Sequence, residues 1–312
     1  MSITLDEDAG TPGATPGLGN ATVAVTEIPS ELAAVGCAVR GGDGWVGRGT
    51  SVGQGAGVNA GASARRPDTH TSMALPVRPA YRLYLSLWAG LDLLFPPTCV
   101  GCGKGGTRWC DDCQKTVRLV LPPVCDLCGR GLESCGICIR CQEKNPHFSG
   151  VRSWATFEGH LRKALHQLKY NRDISLGVVM ARPMIHMLRN LNWEIDLVTP
   201  VPLGVARLKE RGYNQSGLLA KPLALEVGLP YRPQALKKIR NTPTQVNLSL
   251  SARRDNVKGA FESDSRLVRG RNVLVVDDVA TSSATLDACS VALLEAGATQ
   301  VYGLTLARAG HF

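Results

Sequence analysis

Apolar and polar positions divide this chain into two regimes. Residues 1–72 show no sustained period, and their apolar side chains are too sparse for a core, so the pattern predicts disorder. The reading is of a Gly/Ala/Ser-rich tail over 1–79, with an alternative in which translation begins at Met73. From residue 80 the pattern becomes periodic. Residues 80–95 fit one amphipathic helix, closed by Pro96-Pro97. Val151 to Phe157 alternates as a strand does, and Leu161, Leu165 and Leu168 are spaced for a helix running to Tyr170. A second helix is expected over Leu176–Leu191 and a short strand over Asp196–Val201. Gln215 to Val227 is helical, with Pro222 expected to bend or restart it. The polar stretch 240–258 reads as a long loop. Strand 273–277, helix 284–296 and strand Gln300–Leu306 close the chain. Strands alternating with helices predict an α/β domain with a mainly parallel sheet flanked by helices.

The chemistry concentrates at Val273–Thr285, where a buried apolar strand ends in Asp277 and Asp278, followed by a run of small hydroxyl residues and a helix. Ligand sites in open α/β sheets lie at the carboxyl ends of the strands. Free N–H groups and hydroxyls before a helix suit an anion. The stretch therefore predicts a phosphate in the loop Thr281–Thr285, with two acids placed to reach sugar hydroxyls or hydrated Mg²⁺. Neither a Walker loop nor a Rossmann glycine fingerprint fits the sequence.

The net charge of +9 is unevenly spread. Residues 1–72 carry four basic and seven acidic residues, against 31 and 19 in the remaining 240. The structured part is thus strongly basic and favours an anionic ligand such as a nucleotide, a pyrophosphate or nucleic acid. No secretory signal and no membrane span is read, and a reducing cytoplasm is the expected compartment.

Nine of the eleven cysteines lie between 99 and 141. Cys99-x-x-Cys102 and Cys110-x-x-Cys113 form one set of four; Cys125-x-x-Cys128 and Cys138-x-x-Cys141 form another. Two sulfurs from each of two tight turns make the tetrahedral set that Zn²⁺ prefers, so two structural zinc sites are expected. An iron–sulfur cluster is the other four-thiolate occupant. Cys135 also pairs with Cys138 as Cys-x-x-Cys and stands as an alternative ligand.

Leu94-Phe95-Pro96-Pro97-Thr98-Cys99, Leu168-Lys169-Tyr170, Pro200-Val201-Pro202, and Arg211-Gly212-Tyr213-Asn214-Gln215 occur in this order. With the cysteine sets they resemble the ComF family, which joins a double zinc ribbon to a type I phosphoribosyltransferase-like domain and is linked to bacterial competence. Thr242, Gln245 and Leu248, then Arg253, Asn256 and Val257 through Phe261, complete the set. The resemblance covers about 93–310. Past the amphipathic helix, read over 80–97, it implies a ribbon domain over 98–145 and a transferase domain over 146–312. It further implies binding of 5-phosphoribosyl-1-pyrophosphate with Mg²⁺ and transfer of the phosphoribosyl group to a base or related acceptor. Asp277 and Asp278 would bind ribose hydroxyls and Mg²⁺ waters, and Thr281, Ser282, Ser283, Ala284 and Thr285 the 5′-phosphate. Arg207 and Arg211 would meet the pyrophosphate, and the lid 240–258 would bring Arg253 to the leaving group. Ser283 departs from the family's glycine, whose backbone freedom a Cβ resists. The resemblance also suggests single-stranded DNA and competence-machinery proteins as partners. The rival reading is a DNA-binding module whose transferase fold serves as a scaffold.

Overall fold

A computed structural model describes residues 78–170, 173–240 and 257–310. The expected tail lies almost wholly outside these residues. So do Thr242, Gln245, Leu248, Arg253 and Asn256 of the expected lid. In chain order the described elements are α1 (Pro79–Leu94), α2 (Asp111–Lys115), α3 (Ile139–Lys144), β1 (Gly150–Thr156), α4 (Gly159–Tyr170) and α5 (Leu176–Arg189). Then come β2 (Leu197–Pro200), α6 (Val205–Arg211), α7 (Gln215–Val227), a 3₁₀ turn at Pro233–Ala235, β3 (Leu236–Lys238) and β4 (Phe261–Ser263). α8 (Ser265–Val268), β5 (Asn272–Ala280), α9 (Ala284–Glu295) and β6 (Gln300–Arg308) complete the set.

Four strands form one parallel sheet in the order β1-β6-β5-β2, while β3 and β4 pair antiparallel beside it. The β-branched run of β5 suits a strand covered on both faces. Leu274 and Val276 face a core layer with Leu168, Leu176, Met180, Leu219 and Leu223 of α4, α5 and α7. Val273 and Val275 face the opposite layer with Leu286, Cys289 and Leu293 of α9. Leu274 is fully buried, and burial of such a side chain contributes about 1.5–3 kcal/mol.

Two helices carry an internal proline. α7 runs through Pro222 as one helix, so the expected restart does not occur, and α5 likewise contains Pro183. Pro222 is buried in the packed face of α7, so tertiary packing offsets the lost backbone hydrogen bond. α5 and α7 approach closely where Gly177 meets Leu218; a Cβ at Gly177 would lie 2.7 Å from the Leu218 Cβ.

The two cysteine sets sit on opposite faces of the sheet. Cys99, Cys110 and Cys113 pack into the layer of α5 and α7, and Cys125, Cys128, Cys138 and Cys141 into the layer of α9. The segment between the sets covers the edge of β1. Val120 N donates to the Trp154 carbonyl at 3.0 Å and Thr156 N to that of Arg118 at 2.8 Å. An exposed edge strand is thereby closed. Lys163 Nζ on α4 also donates to the Gly101 carbonyl at 2.9 Å.

Candidate functional site

Each set of four cysteines brings its sulfurs within 4.8 Å of one another. Tetrahedral geometry with Zn–S bonds of about 2.3 Å requires sulfurs about 3.8 Å apart. The Cys99–Cys113 and Cys102–Cys110 sulfurs are 3.6 Å apart, and those of Cys128 and Cys138 are 3.8 Å apart. Disulfides, near 2.05 Å, are excluded for these pairs. Backbone N–H groups point at the sulfurs, from Cys110 to Cys99 at 3.4 Å and from Cys138 to Cys125 at 3.3 Å. Burial works against charge on Cys99, but N–H groups of Cys102, Cys110 and Gly101 outweigh it and hold that thiol at about 6. The residues thus fit two four-thiolate zinc sites. The second is built from Cys138 and Cys141, and Cys135 stays outside the cluster. Gly129, at φ 67°, turns the chain after Cys128 where a Cβ would lie 2.3 Å from the Val151 carbonyl oxygen.

At the sheet, β5 continues three residues beyond Asp277, because Ala280 stays paired with Arg308 of β6. The acids therefore sit at the sixth and seventh of the strand's nine positions, and the loop proper is Thr281–Ser283. Ala284 and Thr285 already belong to the first turn of α9. Asp277 accepts from Ser216 Oγ at 2.8 Å and from the Asp278 N–H at 2.9 Å. Burial and the neighbouring Asp278 charge raise Asp277 to about 7, even though Ser216 and Lys169 favour its ionised form. Asp278 is buried, paired with the Lys169 ammonium and approached by Gln215 Nε2 at 3.5 Å. Burial opposes the charge on Lys169, but Asp278 prevails and raises its pKa.

The segment after Val201 is not a loop throughout: residues 205–211 form α6, capped by Gly212 in the left-handed region. Its two arginines stand four residues apart on one helix face, one turn from each other, and lie beside different neighbours. Arg211 donates to Gln215 Oε1 at 3.1 Å and lies 5.0 Å over the Tyr170 ring, which links it through Gln215 to Asp278. Arg207 lies near Lys238 of β3, where burial first and the Arg207 charge second push the lysine below its ordinary value. Thr281, Ser282 and Thr285 are half-buried, and Ser282 Oγ accepts from the Ala284 N–H at 3.3 Å. Ser283 is buried at φ 58° and ψ 12°, the left-handed geometry expected of the glycine it replaces. Arg253 lies outside the described residues.

Four residues that sequence reasoning did not place in the site belong around it: Lys169, Gln215, Ser216 and Arg308. Lys169 and Gln215 stood inside quoted motifs without a role. Arg308 carried the same signal as Asp277, a charge closing a buried parallel strand. No sequence signal marks Ser216.

A double zinc ribbon followed by a parallel α/β domain with an acidic pair beside a hydroxyl-lined helix start defines a class of two-part proteins. The family description "Double zinc ribbon domain" matches residues 90–142. The DNA utilization protein YhgH of Salmonella typhimurium is 33% identical over 176 residues, spanning 55% of this chain and 77% of that protein. Competence protein F of Haemophilus influenzae is 29% identical over 179 residues, 55% of this chain and 78% of its own. Competence protein ComFC of Bacillus subtilis is 27% identical over 159 residues, 50% of this chain and 63% of its own. The chain belongs to the ComF family of competence and DNA-utilization proteins. The B. subtilis glutamine phosphoribosylpyrophosphate amidotransferase complexed with ADP and GMP aligns at 23% identity and TM-score 0.33, over 46% of this chain and 30% of that one. Among the described residues, no helix is long and apolar enough to cross a membrane.

Proposed function

We propose that the protein binds 5-phosphoribosyl-1-pyrophosphate together with Mg²⁺ and transfers the phosphoribosyl group to a base or related acceptor. The observation that carries this reading is the adjacency of Asp277 and Asp278 to the loop that opens α9. Thr281, Ser282, Ser283, Ala284 and Thr285 hold the 5′-phosphate through N–H groups and hydroxyls. Asp277 and Asp278 take the ribose hydroxyls and the waters of Mg²⁺, whose hard oxygen chemistry suits two carboxylates. The cation supplies neutralisation of pyrophosphate charge. In the free protein Lys169 pairs with Asp278, Gln215 approaches the same carboxylate and Ser216 donates to Asp277, which together orient the two acids.

Such transfer passes through an oxocarbenium-like transition state, so the protein positions and neutralises rather than bonding covalently. Arg211, tied to Gln215, and Arg207 meet the departing pyrophosphate, because guanidinium forks suit phosphates. Arg253, outside the described residues, is the third arginine assigned to that leaving group. Calorimetry with phosphoribosyl pyrophosphate and Mg²⁺ tests the assignment. The native chain should bind and the Asp277→Ala/Asp278→Ala chain should not; equal binding by both, or none by either, sinks it.

A second reading is favoured by the basic charge and by relatives described as DNA-utilization and competence proteins. In it, the ribbons bind single-stranded DNA and the transferase fold is a scaffold. Salt-dependent strand binding that is lost with the ribbons, without any turnover of phosphoribosyl pyrophosphate, would favour it.

A further inference from the structure

A crevice separates the second ribbon from the loop that opens α9. It is lined by Arg130, Arg140 and Lys144 on the ribbon side and by Ser282, Ala284 and Arg308 on the sheet side. Arg308 closes β6 beside Ala280 and is 3% exposed. Its Nη2 donates to the Cys128 carbonyl and lies 3.5 Å from Ser283 Oγ, but its Nε has no partner among the described residues. The buried Nε of Arg130 also lacks one. Buried guanidinium N–H groups without acceptors are costly, because water has been removed and nothing replaces it. Among the described residues Asp287 is the one acid lining the crevice, and it already accepts from the His147 N–H at 2.7 Å and lies 3.2 Å from its Nδ1. The twelve-residue α9 begins here without a side-chain cap from Ser283, so its first N–H groups add positive potential.

We propose that this crevice is a phosphate-binding site whose ribbon wall, Arg130 and Arg140 with Lys144 at the rim, acts together with Arg308 and the start of α9. The ribbon then contributes directly to ligand binding. The phosphate belongs either to the donor seated in the loop, the reading on which this arm rests, or to a nucleic-acid strand crossing between ribbon and sheet. Both present the same tetrahedral oxyanion, which matches a guanidinium fork.

The test uses the zinc-loaded full chain and three probes: inorganic phosphate, phosphoribosyl pyrophosphate with Mg²⁺, and a short single-stranded oligonucleotide. Calorimetry compares the native chain with Arg130→Gln, Arg140→Gln and Arg308→Lys, and zinc content per chain verifies that the ribbons are intact. Each glutamine substitution should weaken inorganic phosphate roughly tenfold, as expected for a lost charge-assisted hydrogen bond. A parallel loss for phosphoribosyl pyrophosphate alone identifies the donor as the source. A parallel loss for the oligonucleotide, with a shallower salt dependence, identifies a strand. Native affinity for all three probes in zinc-replete Arg130→Gln and Arg140→Gln proteins overturns the proposal and leaves these arginines as counter-charges to the thiolates. Phosphate binding through the arginines without any binding of phosphoribosyl pyrophosphate overturns the donor reading and leaves the crevice standing. Binding of phosphoribosyl pyrophosphate indifferent to the arginines but abolished by Asp277→Ala/Asp278→Ala does the reverse.

Discussion

Ser283→Gly is expected to stabilise the protein while leaving the proposed phosphate loop intact. Ser283 sits at φ 58° and ψ 12° and is one of two non-glycine residues with positive φ among those described. An L-residue in this region carries a steric cost of about 1–2 kcal/mol. Glycine removes that cost but loosens the unfolded chain by about 0.4–1 kcal/mol. The hydroxyl's contact with Arg308 is 3.5 Å long and contributes little. The net gain is about 0.5–1 kcal/mol, or about 1–4 °C in Tm for a domain of 150–250 residues. Ser283→Val, a β-branched side chain at positive φ, should lose about 2 kcal/mol instead. Urea denaturation followed by tryptophan fluorescence reads both, since Trp154 is buried in β1. Because serine already holds the left-handed geometry, affinity for phosphoribosyl pyrophosphate in the glycine variant should stay within about threefold of native, less than 1 kcal/mol. A glycine variant less stable than the native chain by 1 kcal/mol or more, or an unaffected valine variant, would refute the strain argument.

Zinc removal by a chelator, or Cys128→Ser, should lower the transition of the sheet domain itself, because the second cysteine set shares a core layer with Val151 and Leu286; atomic absorption and tryptophan fluorescence together check this, and a sheet transition indifferent to zinc would contradict it. Lys169→Met should cost roughly 1–3 kcal/mol, less than a fully buried pair because Lys169 is a quarter exposed. Adding Asp278→Asn should recover much of that loss in a double-mutant cycle, whereas additive losses would show that the pair is uncoupled. The raised Asp277 has a definite sign. Between about pH 4 and 7 the native state keeps a proton that the unfolded state has released, so its contribution to stability falls as pH rises through 7. Asp277→Asn should flatten that slope in pH-dependent denaturation, and binding of the Mg²⁺ donor should strengthen over the same rise in the native chain.

The sheet was legible because both faces of β5 are covered, which leaves a run of adjacent apolar residues that no surface strand carries. The zinc sets were legible because tetrahedral thiolate binding forces paired local spacing. The geometry at Ser283 was legible as a departure from a glycine, and the observed φ explains why glycine suits the position. Other features depended on distant partners. Lys169 approaches Asp278 only after α4 packs against the sheet, and Ser216 reaches Asp277 from the start of α7. Arg207 and Arg211 share one face of α6, but the partners beside them, Lys238 for one and Gln215 and Tyr170 for the other, come from elements distant in sequence or beyond the helix end. Placement of the two ribbons on opposite faces of the sheet has no local signature, since it follows from which apolar surfaces remain to be covered.

The most direct test of the central claim is a crystal structure of the chain with Mg²⁺ and phosphoribosyl pyrophosphate. The expected density places the 5′-phosphate against the N–H groups of Thr281–Thr285 and the ribose hydroxyls at Asp277 and Asp278, with Arg207 or Arg211 on the pyrophosphate. Density for the ligand at another surface, or a loop left empty at saturating ligand with Lys169 still closed on Asp278, would contradict it.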